Sequence, residues 1–131
     1  MSEQKAIRTY RDLIVWQKAH EMDLKVIDLV AAFPRQQPFW VIGDQLLRAS
    51  TSISANIAEG HSSYRGKEYG KFLSYALRSA YETENWLLKL QDSPILQQRV
   101  DAKTVQTISM LNTEIIKMLI VLSRKIDHAQ S

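Results

Sequence analysis

Apolar residues recur along most of the chain at spacings of three and four, which places them on one face of an α-helix. Four stretches have this pattern, and it predicts helices near residues 13–33, 39–60, 66–91 and 100–127. The last stretch is the most regular, and its repeating positions are Val105, Ile108, Asn112, Ile115, Leu119, Leu122 and Ile126. Strand-like alternation is absent from the pattern, so an all-α fold is predicted.

Residues with known preferences for helix ends separate these stretches. Asp12 is the expected N-cap of the first helix, and Pro34 is expected to end it. Gly60 is expected to end the second helix in the left-handed conformation. Asp101 is the expected N-cap of the last. Asn112 is the single polar member of the last apolar seam, where such a residue can specify register or partner.

Short connections between helices of this length favour antiparallel neighbours. We therefore predict an antiparallel up-down four-helix bundle over residues 13–128, with tails at residues 1–12 and 129–131. A chain of 131 residues is long enough to bury a core of its own.

Composition narrows the class of protein. Apolar residues make up 45% and charged residues 24%, which are ordinary values for a globular domain. There is no cysteine, so disulfides and thiolate metal sites are excluded. The polar N-terminus is unlike a signal peptide, and no apolar run reaches the length of a membrane span. A soluble cytoplasmic protein without a membrane partner is expected.

The first and last helices carry more apolar residues than one core-facing stripe requires. Self-association would bury the surplus, and a closed homo-oligomer is predicted; a thick monomer core is the alternative. The surplus positions are Leu13, Trp16, Leu24, Ile27, Val30, Leu111, Ile116, Met118, Ile120 and Val121, together with Phe39, Trp40 and Val41.

Sequence signatures of catalysis are lacking. No glutamate is followed three residues later by histidine, the spacing used in di-iron bundles. His20, His61 and His128 are not spaced one helical turn apart, and there is no nucleophile elbow or glycine-rich phosphate loop. We therefore expect a non-enzymatic protein with no metal, no cofactor and no small-molecule substrate.

Charge is balanced except in one stretch. The formal net charge of +3 arises within residues 61–80, because the flanking stretches each sum to zero. A basic stretch can neutralise phosphates, and tyrosines in it can stack on unpaired bases. The predicted contacts to RNA or DNA are Arg65, Lys67, Lys71 and Arg78, with Arg48 as a weaker candidate and Tyr64, Tyr69 and Tyr75 interleaved.

Two alternatives accompany this prediction. The basic residues could simply solvate the outer side of the third helix, with Arg78 paired to Glu82. The protein could also be a protein–protein interaction scaffold that binds no nucleic acid. Likewise, the small polar residues from Ser50 to Glu59 are either bonded within the domain or part of a partner-binding surface.

Several motifs resemble one bacterial family. They are IVWQKA at 14–19, SISANIAEG at 52–60, KEY at 67–69 and ALRS at 76–79. Their order and content are similar to the proteins encoded in intervening sequences of 23S ribosomal RNA genes. The matching positions Trp16, Asn56, Glu59 and Gly60 are the family's motif residues, with a structural or interaction role. After Leu88 the chain departs from the family pattern, since an alanine-rich turn ending in Leu-Gly-Tyr is missing.

The resemblance implies an antiparallel four-helix subunit that assembles into a ring-shaped homopentamer. It also implies a relation to the accessory protein of diversity-generating retroelements. That relative is described as a basic pentamer with nucleic acid and a reverse transcriptase as partners.

Overall fold

The computed structural model describes residues 6–63 and 67–130, except for the side chains of Lys67 and of residues 128–130. No strand occurs in these ranges, so the all-α prediction is confirmed. The helices are α1 (Ile14–Ala31), α2 (Gln37–Ser63), α3 (Lys67–Asp92), α4 (Pro94–Gln97) and α5 (Ala102–Gln130). Four of them are long and correspond to the four predicted stretches.

The four long helices pack in the cyclic order α1, α2, α3, α5, each against the next, and α5 closes on α1. The short α1–α2 connection reverses the chain, and the Phe33 and Phe39 rings meet edge to face at 5.8 Å where it does so. Where α5 packs against α1, Lys18 Nζ of α1 forms an ion pair with Glu114 Oε2 of α5 at 3.3 Å.

The core consists of the residues that the apolar periodicity selects. Ile53, Leu73, Ile115 and Leu119 are wholly buried. Burying one such side chain stabilises the fold by about 1.5–3 kcal/mol. Ala76 and Ala80 are also wholly buried, and their small side chains allow α3 to lie close to its neighbours.

The start of α1 differs from the prediction. Asp12 closes a 3-10 turn over Tyr10–Asp12, where it forms a reciprocal capping box with Thr9. The N-cap of α1 is Leu13, which makes no side-chain capping bond. The prediction of Asp12 as N-cap of α1 was wrong because the carboxylate bonds backward, to the amides of Arg8 and Thr9 at 2.8 and 3.1 Å.

The α3–α5 connection contains a single helical turn, α4, that the pattern did not predict. Ser93 caps it by accepting the amide of Leu96, and Pro94 occupies its first turn. The predicted cap of the last helix is confirmed, since Asp101 accepts the Lys103 amide and the Thr104 hydroxyl at 3.2 and 2.8 Å.

Gly60 does not end α2, which continues to Ser63. Gly60 is buried inside the helix, and a Cβ placed on it would lie 2.8 Å from the Cβ of Phe72 and 3.2 Å from the Tyr69 ring. The prediction of a left-handed helix end was wrong, because glycine is needed here for the close approach of α2 to α3.

Among the described residues, α5 contains the one segment, Ala102–Asp127, that is long and apolar enough to cross a membrane by length and composition. A core helix passes the same test. The wholly buried Ile108, Ile115 and Leu119 show that α5 supplies this bundle with core side chains.

Candidate nucleic-acid interface

Two of the predicted basic contacts lie together on the outer side of α3. Lys71 and Arg78 are seven residues apart, so they share a helical face, and both are exposed. Lys71 Nζ is 3.8 Å from Glu68 Oε1, and both side chains of this pair are about half exposed. Such an exposed pair is worth little and leaves the lysine available.

Arg78 contacts an aromatic ring. Its guanidinium carbon is 5.7 Å from the centroid of the Tyr75 ring, which is partly exposed. The alternative pairing of Arg78 with Glu82 is not formed within ion-pair distance in the described part of the chain. A cation beside an exposed aromatic ring offers both a phosphate contact and a stacking surface.

The other predicted contacts are placed differently. Arg48 is exposed on α2, but its Nε is 3.2 Å from Asp44 Oδ2, one turn earlier on the same helix. Tyr69 is half-buried against Gly60 and meets the His61 ring edge to face, and burial raises the pKa of its hydroxyl. Of the described tyrosines in this stretch, Tyr75 is therefore the more exposed ring, and stacking on Tyr69 stays a prediction. Tyr64, Arg65 and the side chain of Lys67 lie outside the described residues.

Trp16 and Asn56, two of the family-motif residues, form contacts within the domain. Trp16 stacks on His20 at 4.8 Å between ring centroids and meets Tyr10 edge to face at 5.2 Å. Asn56 Nδ2 donates to the carbonyl and hydroxyl oxygens of Ser52, at 2.8 and 3.0 Å. Glu59 is exposed at the open, shallow end of α2.

The polar segment of α2 is bonded mainly to its own domain. Ser50 and Ser54 each donate a hydroxyl to the Asp23 carboxylate at 2.6 Å, and Ser79 of α3 donates to Ser52 at 3.0 Å. Thr51 donates to the carbonyl of Leu47. The sequence left two interpretations open, and these contacts support bonding within the domain.

Asp23, which is buried between α1 and α2, was not among the predicted site residues. Burial raises the pKa of its carboxyl, while the hydroxyls of Ser50 and Ser54 and the nearby His20 act to lower it. The sequence feature that could have indicated this site is the pair Ser50 and Ser54. Two serines four residues apart lie on one side of a helix, where both hydroxyls can donate to one buried acceptor on a neighbouring helix.

The described residues contain no group of three or more histidine, aspartate or glutamate side chains suited to a metal ion. A half-open cleft of about 210 Å³ lies at one end of the bundle. Leu29, Phe33 and Val100 form its apolar wall, and Asp28 and Arg99 are among its charged residues. Asp101 and Thr104 also line this cleft.

One side of the bundle carries an uncovered apolar strip, which we call the α1/α2 face. Leu24 and Ile27 of α1 are 51% and 45% exposed, and Trp40 of α2 is 58% exposed. Trp16 of α1 and Leu47 of α2 continue the strip and are partly buried against the core. By contrast, three predicted surplus residues (Phe39, Leu111 and Ile116) are buried in the bundle itself.

Comparison with known proteins identifies a family and similar solved structures. A family model described as "23S rRNA-intervening sequence protein" matches residues 11–121. A protein of unknown function from the S23 ribosomal protein family of Bacteroides thetaiotaomicron VPI-5482 superposes with a TM-score of 0.73 and 31% sequence identity. The alignment covers 84% of this chain and 98% of the other. No curated protein matches.

Proposed function

The chain belongs to the 23S rRNA-intervening sequence protein family, and from this premise we propose that it is a non-enzymatic, self-associating accessory protein that binds RNA through the outer side of α3. The membership confirms the resemblance seen in the sequence motifs. Assembly into a homopentameric ring and a cytoplasmic location are part of the proposal.

The observation that carries the RNA-binding proposal is the exposed row of Lys71, Tyr75 and Arg78. Glu68 and Glu82 lie on or beside this face, but only Glu68 is within ion-pair distance, at 3.8 Å from Lys71. Two cations with an exposed ring between them provide phosphate neutralisation and base stacking on one helical face. A ring would repeat this face in every subunit and multiply a modest local charge.

A salt titration tests the proposal. We would measure the affinity of the protein for a single-stranded RNA and a duplex DNA of equal length, and repeat it with the double variant Lys71→Ala/Arg78→Ala. Each lost phosphate contact lowers the logarithmic salt slope by about 0.7–0.9, so the slope should fall by roughly 1.4–1.8 per subunit engaged.

The matched control is Lys103→Ala/Lys125→Ala, which removes the same charge from exposed positions on α5. Both variants must retain the helicity and mass of the parent. Equal slopes for the parent and the α3 variant would exclude this face as the contact, and equal losses in both variants would indicate a nonspecific charge effect.

A protein–protein scaffold is the second candidate function, and the α1/α2 face favours it. Tryptophans and aliphatic side chains at its centre match the composition of interface cores. Absence of RNA and DNA binding even at low salt would favour this candidate.

A further inference from the structure

The α1/α2 face has the composition of a buried contact. Trp16, Leu24, Ile27, Trp40 and Leu47 form a strip along two helices, and none of them is charged. Four of them lie on the side where the two helices meet, because Asp23 bonds there to Ser50 and Ser54 and their positions follow at helical spacings. Leu24 lies beside Ile27, one helical turn before it. Interface cores are depleted in charge and enriched in aromatic residues.

A second apolar strip, the α3/α5 face, lies on the opposite side of the bundle. It consists of Tyr81 and Leu88 on α3, which are exposed, with Leu77 on α3 and Ile120 on α5, which are partly buried. The Asn112–Ala80 hydrogen bond marks where these two helices meet, and the strip follows it at helical spacings. Because the helices pack in the order α1, α2, α3, α5, the two strips point in opposite directions.

The borders of the two faces carry opposite charge. Beside the α1/α2 face the exposed charges are Glu21, Asp28, Asp44 and Arg48, an acidic excess. Beside the α3/α5 face they are Arg78, Lys89, Lys117 and Arg124 with Glu84, Asp92 and Asp127, a basic excess of one charge. The opposite sign of the two borders favours contact between unlike faces over contact between like faces.

We infer that the α1/α2 face of one copy of this chain docks on the α3/α5 face of the next. The contact is head-to-tail, so it generates a ring if the rotation closes and a filament if it does not. This inference rests on the self-association part of the proposed function, and it adds the identity of the two faces.

The central residues of the two faces lie at similar heights along the bundle. Asp23 is level with Ser50 and Ser54, and Ser52 of the same turn bonds to Ser79 of α3. Leu24 is one residue beyond Asp23, and Tyr81 is two beyond Ser79, a difference of about 1.5 Å in helical rise. When two copies lie side by side with parallel bundle axes, Leu24 of one copy therefore comes close to Tyr81 of the next.

The chain has no cysteine, so engineered thiols can report this contact without background. We would treat Leu24→Cys, Tyr81→Cys and the double variant with a short bis-maleimide, after checking mass by light scattering and helicity by circular dichroism. Head-to-tail contact predicts a ladder of covalent oligomers from the double variant, unlike-pair dimers from a mixture of the single variants, and no product from either single variant alone.

The control is Leu24→Cys/Thr107→Cys, since Thr107 is exposed on α5 and lies seven residues before Glu114, which pairs with Lys18 on the α1 side of that helix. Dimers from Leu24→Cys alone would show a symmetric contact and overturn the inference. The inference would also be overturned if the protein assembles but its Leu24→Cys/Tyr81→Cys variant gives no ladder of covalent oligomers. A ladder from the control variant would overturn it as well. A monomer mass for the parent at micromolar concentration would instead refute the proposed self-association itself.

Discussion

Asp23 is buried in the α1–α2 contact and Asn112 in the α3–α5 contact, and the hydrogen-bonding groups of these two side chains are satisfied to different degrees. Asp23 is 6% exposed, and its two carboxylate oxygens accept one hydroxyl each, from Ser50 and Ser54. Asn112 is 1% exposed, and its Nδ2 donates to the carbonyl of Ala80 at 2.9 Å. Its Oδ1 is buried without a hydrogen-bond partner.

The difference separates two costs of burying a polar group. At Asp23 the hydrogen bonds are complete and the remaining cost is desolvation of a charge, which is why the pKa of its carboxyl is raised. At Asn112 there is no charge, and the cost is one unpaired acceptor, about 1–3 kcal/mol. Both positions can therefore be tested by substitutions that change only charge or only pairing.

The largest effect is expected for Asn112→Asp. The carboxylate cannot donate to the Ala80 carbonyl, so the substitution buries an uncompensated charge beside an acceptor. We expect the free energy of unfolding to fall by about 3–5 kcal/mol at neutral pH. Urea denaturation measures it, with Thr113→Asp at the adjacent exposed position as control. A loss below 1 kcal/mol would mean that water reaches this site.

The fold could be predicted in outline because the seam residues repeat at helical spacing over whole helices. Asn112 was visible for the same reason, since it interrupts the most regular seam. Gly60 was misread because a glycine at a helix end and a glycine at a helix crossing look the same in sequence. Only the position of Phe72 distinguishes them.

The candidate site was less predictable. Lys71 and Arg78 share a face, as their spacing required, but nothing local indicated that Arg78 would contact Tyr75 instead of Glu82. Asp23 was overlooked because an acid beside an apolar seam normally faces solvent. Its burial depends on two serines 27 and 31 residues away in the chain.

A smaller, pH-dependent effect is expected for Asp23→Asn. An amide can bond to both serines, so the stability at neutral pH should change by no more than about 1 kcal/mol. Because the folded-state pKa of Asp23 is raised, protonation favours the folded protein. The parent should gain stability relative to the variant as the pH falls through that raised pKa, with the gain complete below the usual range for aspartate.

Chemical denaturation at a series of pH values measures this difference, and subtracting the variant removes the contribution of all other acids. Asp28→Asn, which removes the same charge from an exposed position of α1, serves as the matched control. A parent–variant difference that stays constant down to the usual aspartate range would contradict the raised pKa.

The smallest effect is expected for Asn112→Leu, which removes the unpaired acceptor and its paired donor together. Ala80 lies inside α3, so its carbonyl still accepts the backbone amide four residues on. The loss of one neutral hydrogen bond and the relief of one buried acceptor nearly cancel, so stability should rise by no more than about 1 kcal/mol. Thermal or urea unfolding measures this, with Asn112→Asp as the opposite extreme.

A loss above 2 kcal/mol would show that the Asn112–Ala80 bond itself stabilises the α3–α5 contact. If stability holds but the amide resonances of the variant broaden or multiply, Asn112 specifies the register of that contact at little cost in stability.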